Sequence, residues 1–171
     1  ALDRYEATLQ GRDVYIISKQ VAEDISDTVT NQGIFATINM PDVQIELAAM
    51  RQILVLDAVQ DPGNVGTLIR TADAAGFQAV ILGQGTVDLY NSKVLRSAQG
   101  SHFHLPIIDA DLQEWIRQAQ AAGFDLFGSC LDETAKPYKE AVPSSMFALI
   151  VGNEGNGIRA DILALTDYNL Y

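Results

Sequence analysis

Asp61-Pro62-Gly63-Asn64-Val65-Gly66 runs straight into Thr67-Leu68-Ile69-Arg70-Thr71-Ala72-Asp73-Ala74-Ala75-Gly76. An apolar run over 53–59 leads into this stretch and reads as a strand, which Asp-Pro-Gly ends by fixing a turn. Asn64 stands where a helix N-cap belongs. Beyond it Val65, Leu68, Ile69, Ala72 and Ala75 recur at helical spacing and predict one buried stripe. Arg70 falls off that stripe and points away from the core side. Gly66 lets a second backbone or a ligand approach closely. Gly76 closes the helix, and 79–83 begins another strand. Two readings of this strand–turn–helix–strand unit stand at this point. One is a plain crossover whose Arg70 pairs with Asp73 at i+3; the other is a site with an arginine aimed into it.

A second stretch, Gly152-Asn153-Glu154-Gly155-Asn156-Gly157-Ile158, follows the apolar run 146–151. It too sits at the carboxyl end of a predicted strand, the edge where open α/β sheets bind ligands. From residue 53 onward the pattern alternates strand and helix. Strands are predicted near 53–59, 79–83, 104–108, 124–129, 146–151 and 167–170, and helices near 64–75, 91–99, 111–122 and 158–165. The fold class is therefore α/β, a parallel sheet with helices on both faces. Leu112, Trp115, Ile116 and Ala119 recur at helical spacing, so Trp115 reads as core rather than as a platform for a base.

The first 38 residues read as a small α/β piece, with strands at 12–18 and 33–38 and a short helix at 19–28. Residues 39–50, with Pro41 and the acidic Asp42 and Glu46, read as a linker. The catalytic domain is expected over 51–171. Hydrophobic residues make up 48% of the 171, enough for a packed core. The chain carries no apolar run of membrane-spanning length and no secretory signal at its start, which predicts a cytoplasmic protein. Cys130 is the only cysteine, which excludes an internal disulfide and a cysteine-cluster metal site. His102 and His104 alternate as on a strand, with no acidic partner at metal spacing, so no metal is expected. The net charge of −11 runs against a nucleic-acid ligand, because phosphate contacts dominate such affinity. Net charge does not fix the local field, however, and Arg70, Lys93, Arg96, His102 and Arg159 gather around or after the first stretch.

The two stretches together resemble the SpoU (TrmH-like) family of RNA ribose 2'-O-methyltransferases, part of the SPOUT superfamily. Asn64, Gly66, Arg70, Ala72 and Gly76 match its first motif. Gly152-Asn153-Glu154-Gly155 with Gly157 match its second. The resemblance spans about residues 54–171, and Tyr90 to Ser101 also resembles a family segment near the active face. The family's third motif, an Ile-Pro segment leading to Ser-Leu-Asn, would begin just beyond Tyr171.

The resemblance implies methylation of a ribose 2'-hydroxyl in RNA with S-adenosyl-L-methionine as cofactor. Ribosomal RNA is the expected substrate, with transfer RNA or a catalytically silent RNA-binding role as alternatives. It implies Arg70, Glu154 and Asn64 as catalytic residues. Gly128, Ile150, Gly152, Asn153, Gly155, Gly157 and Ile158 are the implied cofactor residues, and Arg70, Lys93 and Arg96 the RNA contacts. It further implies a homodimer, an N-terminal RNA-binding domain of which 1–38 is a part, and a trefoil knot made by the second and third motifs. Cys130, after Gly128 and Ser129, reads either as part of the cofactor pocket or as a small buried hydrophobe. A guanidinium keeps its proton far above neutral pH. Arg70 is therefore expected to stabilise the developing alkoxide and hold the target phosphate, oriented by a fork to Glu154. A Rossmann-type small-molecule enzyme is disfavoured, since no G-x-G-x-x-G follows the first strand.

Overall fold

The computed structural model describes residues 6–131 and 135–171. The chain divides into two units, residues 1–40 and 41–171.

The first unit holds two short helices, α1 (Glu6–Leu9) and α2 (Lys19–Asp24), the second capped by Ser18, whose hydroxyl accepts from the Val21 N–H at 3.3 Å. The strands expected at 12–18 and 33–38 do not form. Their apolar side chains, Val14, Tyr15, Ile16, Ile34, Phe35 and Ile38 among them, are exposed. A strand needs a ladder partner and a face to bury, and among the described residues these segments have neither.

The second unit is a six-stranded parallel sheet in the order β3-β2-β1-β5-β4-β6. Its strands are β1 (Gln52–Asp57), β2 (Ala79–Gly83), β3 (Ile107–Ala110), β4 (Asp125–Ser129), β5 (Phe147–Gly152) and β6 (Tyr168–Leu170). Between them lie α3 (Pro62–Ala74), α4 (Ser92–Ala98), α5 (Leu112–Ala121) and α6 (Ala160–Leu163). The central strands are buried on both faces, as their unbroken apolar runs require. Alternate residues feed two cores. Ile53, Val55, Ala79 and Ile81 pack with Leu112, Trp115 and Ile116 of α5 and Ile162 of α6. Leu54, Leu56, Val80 and Leu82 pack with Val65, Ile69 and Ala72 of α3 and Val94 and Ala98 of α4. Helices therefore cover both faces, α5 and α6 on one side and α3 and α4 on the other.

Residues 41–50 belong to this unit. Leu47–Ala49 form one 3-10 turn, and Ile45, Leu47 and Met50 pack against the α5 side of the core. Helix α3 begins earlier than the sequence suggests. Asp61, not Asn64, is the N-cap, its side chain accepting from the Asn64 N–H at 2.9 Å. Pro62 then occupies a first-turn position, where its missing N–H costs nothing.

Candidate active site

Strands β1 and β5 are neighbours, with Asp57 in register beside Gly152. The chain leaving β1 enters α3 on one face, and the chain leaving β5 enters α6 on the other. The two motif loops, 58–61 and 153–159, thus flank the crevice at a topological switch point of the sheet.

Direct bonds latch the loops together. Glu154 accepts from the backbone N–H groups of Gln60 and Asp61, both at 3.2 Å, and from Asn64 Nδ2 at 3.0 Å. Asn153 Nδ2 donates to the Ala58 carbonyl at 2.9 Å. That bond holds Ala58 in the left-handed region, at φ 55°. The second loop also folds on itself. Asn153 Oδ1 accepts from the N–H groups of Gly155 and Asn156, and the Asn153 and Gly157 backbones exchange two bonds of 2.9 Å. A side chain at Gly152 would run into the backbone of Gly157 and Ile158, so glycine there is required by the loop's own closure. Gly155 is different: nothing lies closer to its added Cβ than Asn153 Oδ1 at 3.6 Å, and the residue is exposed. Ile150 and Ile158 are buried in the core, the first on β5 and the second at the loop's end. Gly128 is buried on β4, against Leu163, Thr166 and Asn169. Cys130 lies half-buried just past that strand.

The expected fork between Glu154 and Arg70 is not present. Both Glu154 oxygens are spent on the amide donors of the turn that opens α3, a favourable place for a negative charge. The Asn64 hydrogen bond leads in holding its carboxyl below the usual range. Arg70 lies six residues further along α3, about 9 Å from Asn64 along the axis. It is exposed, and among the described residues it makes no ion pair. Asp73, the alternative partner, is taken by His104 Nδ1 at 2.9 Å, which with Ser101 keeps the Asp73 carboxyl low. His104 therefore has the acidic partner that its sequence neighbourhood lacked, supplied from another helix. Burial lowers the pKa of His102, and its Nδ1 is buried without a hydrogen bond among the described residues. No group of three His, Cys, Asp or Glu side chains gathers among those residues.

Lys93, at the start of α4, reaches Asp61 at 3.3 Å, so it borders the same turn. The Asn64 N–H first, and Lys93 after it, hold the Asp61 carboxyl low. Arg96 is exposed on the last turn of α4. Gly66 serves the backbone approach rather than a ligand: its added Cβ would strike Ser97 Cβ, the Val94 carbonyl and the Ala98 nitrogen.

One pair was not picked out from the sequence. Asp57 ends β1 fully buried and accepts from the Arg159 backbone N–H at 2.7 Å and from Arg159 Nε at 2.8 Å. The available signal was a carboxylate closing an otherwise apolar strand, since buried charges are paired.

Residues 51–171 match the SpoU rRNA Methylase family. The 23S rRNA (guanosine(2553)-2'-O)-methyltransferase RlmP of Bacillus subtilis is 49% identical over 161 residues, 94% of this chain and 64% of that protein. The 23S rRNA (guanosine-2'-O-)-methyltransferase RlmB of Salmonella typhimurium is 31% identical over 160 residues, 88% of this chain and 65% of that protein. The chain thus spans a little under two thirds of the length of these two relatives. Among solved structures, the AdoMet-bound rRNA methyltransferase from Sinorhizobium meliloti superposes with a TM-score of 0.82 at 28% identity, covering 99% of this chain and 67% of that one.

Proposed function

The chain belongs to the SpoU rRNA methylase family, and on that premise we propose that it methylates a ribose 2'-hydroxyl of RNA, ribosomal RNA before transfer RNA. The observation that carries this reading is the latch: Glu154 and Asn64, one from each motif, bonded at 3.0 Å across the sheet's switch point.

S-Adenosylmethionine, the cofactor of this reading, supplies a methyl group already activated on sulfonium, and the loop 152–158 is where we seat it. The exposed, side-chain-free backbone at Gly155 suits close approach of such a group. Gly152, Asn153 and Gly157 hold the loop's shape, and Ile150 and Ile158 fix its two ends; Gly128 lines the neighbouring strand end. Held by this loop, the cofactor would supply the methyl carbon to the ribose oxygen and would keep the electron pair of the broken carbon–sulfur bond on its sulfur. The proton of the hydroxyl passes to water or another acceptor. Arg70 stays charged throughout and stabilises the developing alkoxide and the adjoining phosphate. Asn64 and Glu154 set the turn from which α3 presents Arg70. Lys93 and Arg96 hold flanking phosphates.

The same reading takes residues 1–38 as part of an N-terminal RNA-binding domain, 39–50 as its connection and 51–171 as the catalytic domain. It includes a trefoil knot closed by the second and third family motifs, a homodimer with cofactor sites near the subunit interface, no metal, and residence in the cytoplasm. Among the described residues no helix is long and apolar enough to cross a membrane.

The test is transfer of labelled methyl from S-adenosylmethionine to total RNA by the full natural chain beside Arg70→Ala. Label is expected in a 2'-O-methyl nucleoside and is expected to fall at least about a hundredfold in the variant, the scale of losing one charge-stabilising donor. Folded, cofactor-binding wild-type protein that labels no RNA would refute the enzyme reading. The pH–rate profile should show no inflection from a carboxylate or histidine base; one between pH ~4 and ~7 would reassign the proton acceptor.

A further inference from the structure

Arg159 is held in an unusual way for a structural ion pair. Arginine–carboxylate pairs are frequently bidentate, two guanidinium N–H groups donating in parallel to the two carboxylate oxygens. Here Asp57 Oδ1 takes Nε at 2.8 Å, while Oδ2 takes the Arg159 backbone N–H at 2.7 Å. Both Nη groups are left without a hydrogen bond among the described residues. The carboxylate is fully buried, yet the arginine side chain remains 40% exposed. The nearest acidic neighbour on its own helix does not use those donors. Asp161 accepts from Gln113 Nε2 at 2.7 Å; that bond first, and the Arg159 charge to a lesser degree, keep its carboxyl low. Arg159 also directly follows the loop 152–158, and Asp57 is in register with Gly152.

A guanidinium fixed at its base, charged at every relevant pH and open at its outer edge is pre-organised for an oxyanion, because little side-chain entropy remains to be lost. Arg70 and Arg96 lack such an anchor. We infer that Arg159, anchored through Nε by buried Asp57, is an anion-binding residue of this site and takes two oxygens of one ligand group on its Nη donors. That group is either a phosphodiester of the RNA strand or the carboxylate of S-adenosylmethionine. The inference rests on the functional reading above.

The experiment uses the full natural chain, Arg159→Lys and the double variant Asp57→Asn with Arg159→Gln. The double variant removes both charges together and so leaves no unpaired buried carboxylate. Near-UV circular dichroism checks that it is folded. Binding of S-adenosylmethionine is compared with binding of its decarboxylated analogue, and RNA binding is followed against salt.

If the ligand is the carboxylate, wild-type protein binds S-adenosylmethionine about tenfold or more tighter than the analogue, and the double variant loses that gap. If it is a phosphodiester, the gap is unaffected. The slope of log K against log salt then falls by about 0.7–0.9 in the double variant, and RNA binding weakens about tenfold. Lysine keeps the charge but not the fork, so Arg159→Lys retains the salt slope while losing affinity. A purely structural pair would alter neither the analogue gap nor the slope. That result, in folded protein whose wild type binds both ligands, overturns this inference alone. Wild-type protein that binds neither ligand overturns the functional reading and this inference with it.

Discussion

Glu154 shows how one carboxylate can serve as a hinge pin between two motifs. Its oxygens accept two backbone N–H groups and the Asn64 amide, and these bonds hold its pKa below the ordinary carboxylate value. Such a group stabilises the folded state fully above its unfolded pKa, and the contribution is lost as pH falls through the lowered folded value. The latch should therefore hold at neutral pH and open only in acid, below the range in which an ordinary glutamate carboxyl protonates. The carboxyl carbon resonance of Glu154 and the amide resonances of Gln60 and Asp61 should titrate together in that acid range. Independent titration of the amides would mean that the latch is not one unit. Glu154→Gln should behave at pH 7 as the wild type does in acid. It exchanges one acceptor for a donor aimed at N–H groups, and the site is exposed, so the stability loss is small, about 1 kcal/mol or less. Methyl transfer should fall much further than stability, measured with the same labelled RNA. At this scale the sequence was partly legible. Asn64, Arg70 and Glu154 could be picked out by type and spacing. Which of them touch could not, because a fork between Glu154 and Arg70 and a latch between Glu154 and Asn64 both read simply as residues far apart in the chain.

Among the elements, α3 and α4 illustrate what a pattern can and cannot convey. The buried stripe Val65, Ile69 and Ala72 was readable from helical spacing, and the parallel strands from unbroken apolar runs. The N-cap was not, since both Asp61 and Asn64 are good caps and only Pro62 favours the earlier start. Nor were the N-terminal segments: 12–18 and 33–38 carry strand-like composition, but strand formation is decided by a partner, and none is present among the described residues. Gly66 was open to either a ligand or a backbone, and the neighbouring helix settles it. Gly66→Ala should cost about 1–3 kcal/mol of stability by urea denaturation, because the methyl meets Ser97, Val94 and Ala98 of α4, two of these contacts being backbone. An unchanged midpoint would show that α4 can shift freely. The displacement should also weaken RNA binding through Lys93 and Arg96, which ride on α4, while leaving cofactor affinity near its wild-type value.

For the whole molecule, the governing fact is a net charge of −11 on a chain proposed to hold RNA. Long-range attraction of the two bodies is therefore unfavourable, and affinity has to come from the local field at the sheet's carboxyl edge. The exposed cations there are few, and they are not equivalent. Lys93 is partly neutralised by Asp61 at 3.3 Å, whereas Arg70 and Arg96 have no ion-pair partner among the described residues. Binding should accordingly be weak and of shallow salt dependence compared with a basic RNA-binding domain, since each phosphate contact adds about 0.7–0.9 to the slope. Arg96→Ala should lower the slope by about one such increment and reduce affinity without changing the position methylated, because a phosphate contact positions but does not read sequence. Lys93→Ala should do less, as that cation is already half spent on Asp61. Equal effects of the two substitutions would mean that the Asp61 pair dissolves on binding, and an unaltered slope in both would place the RNA on another surface.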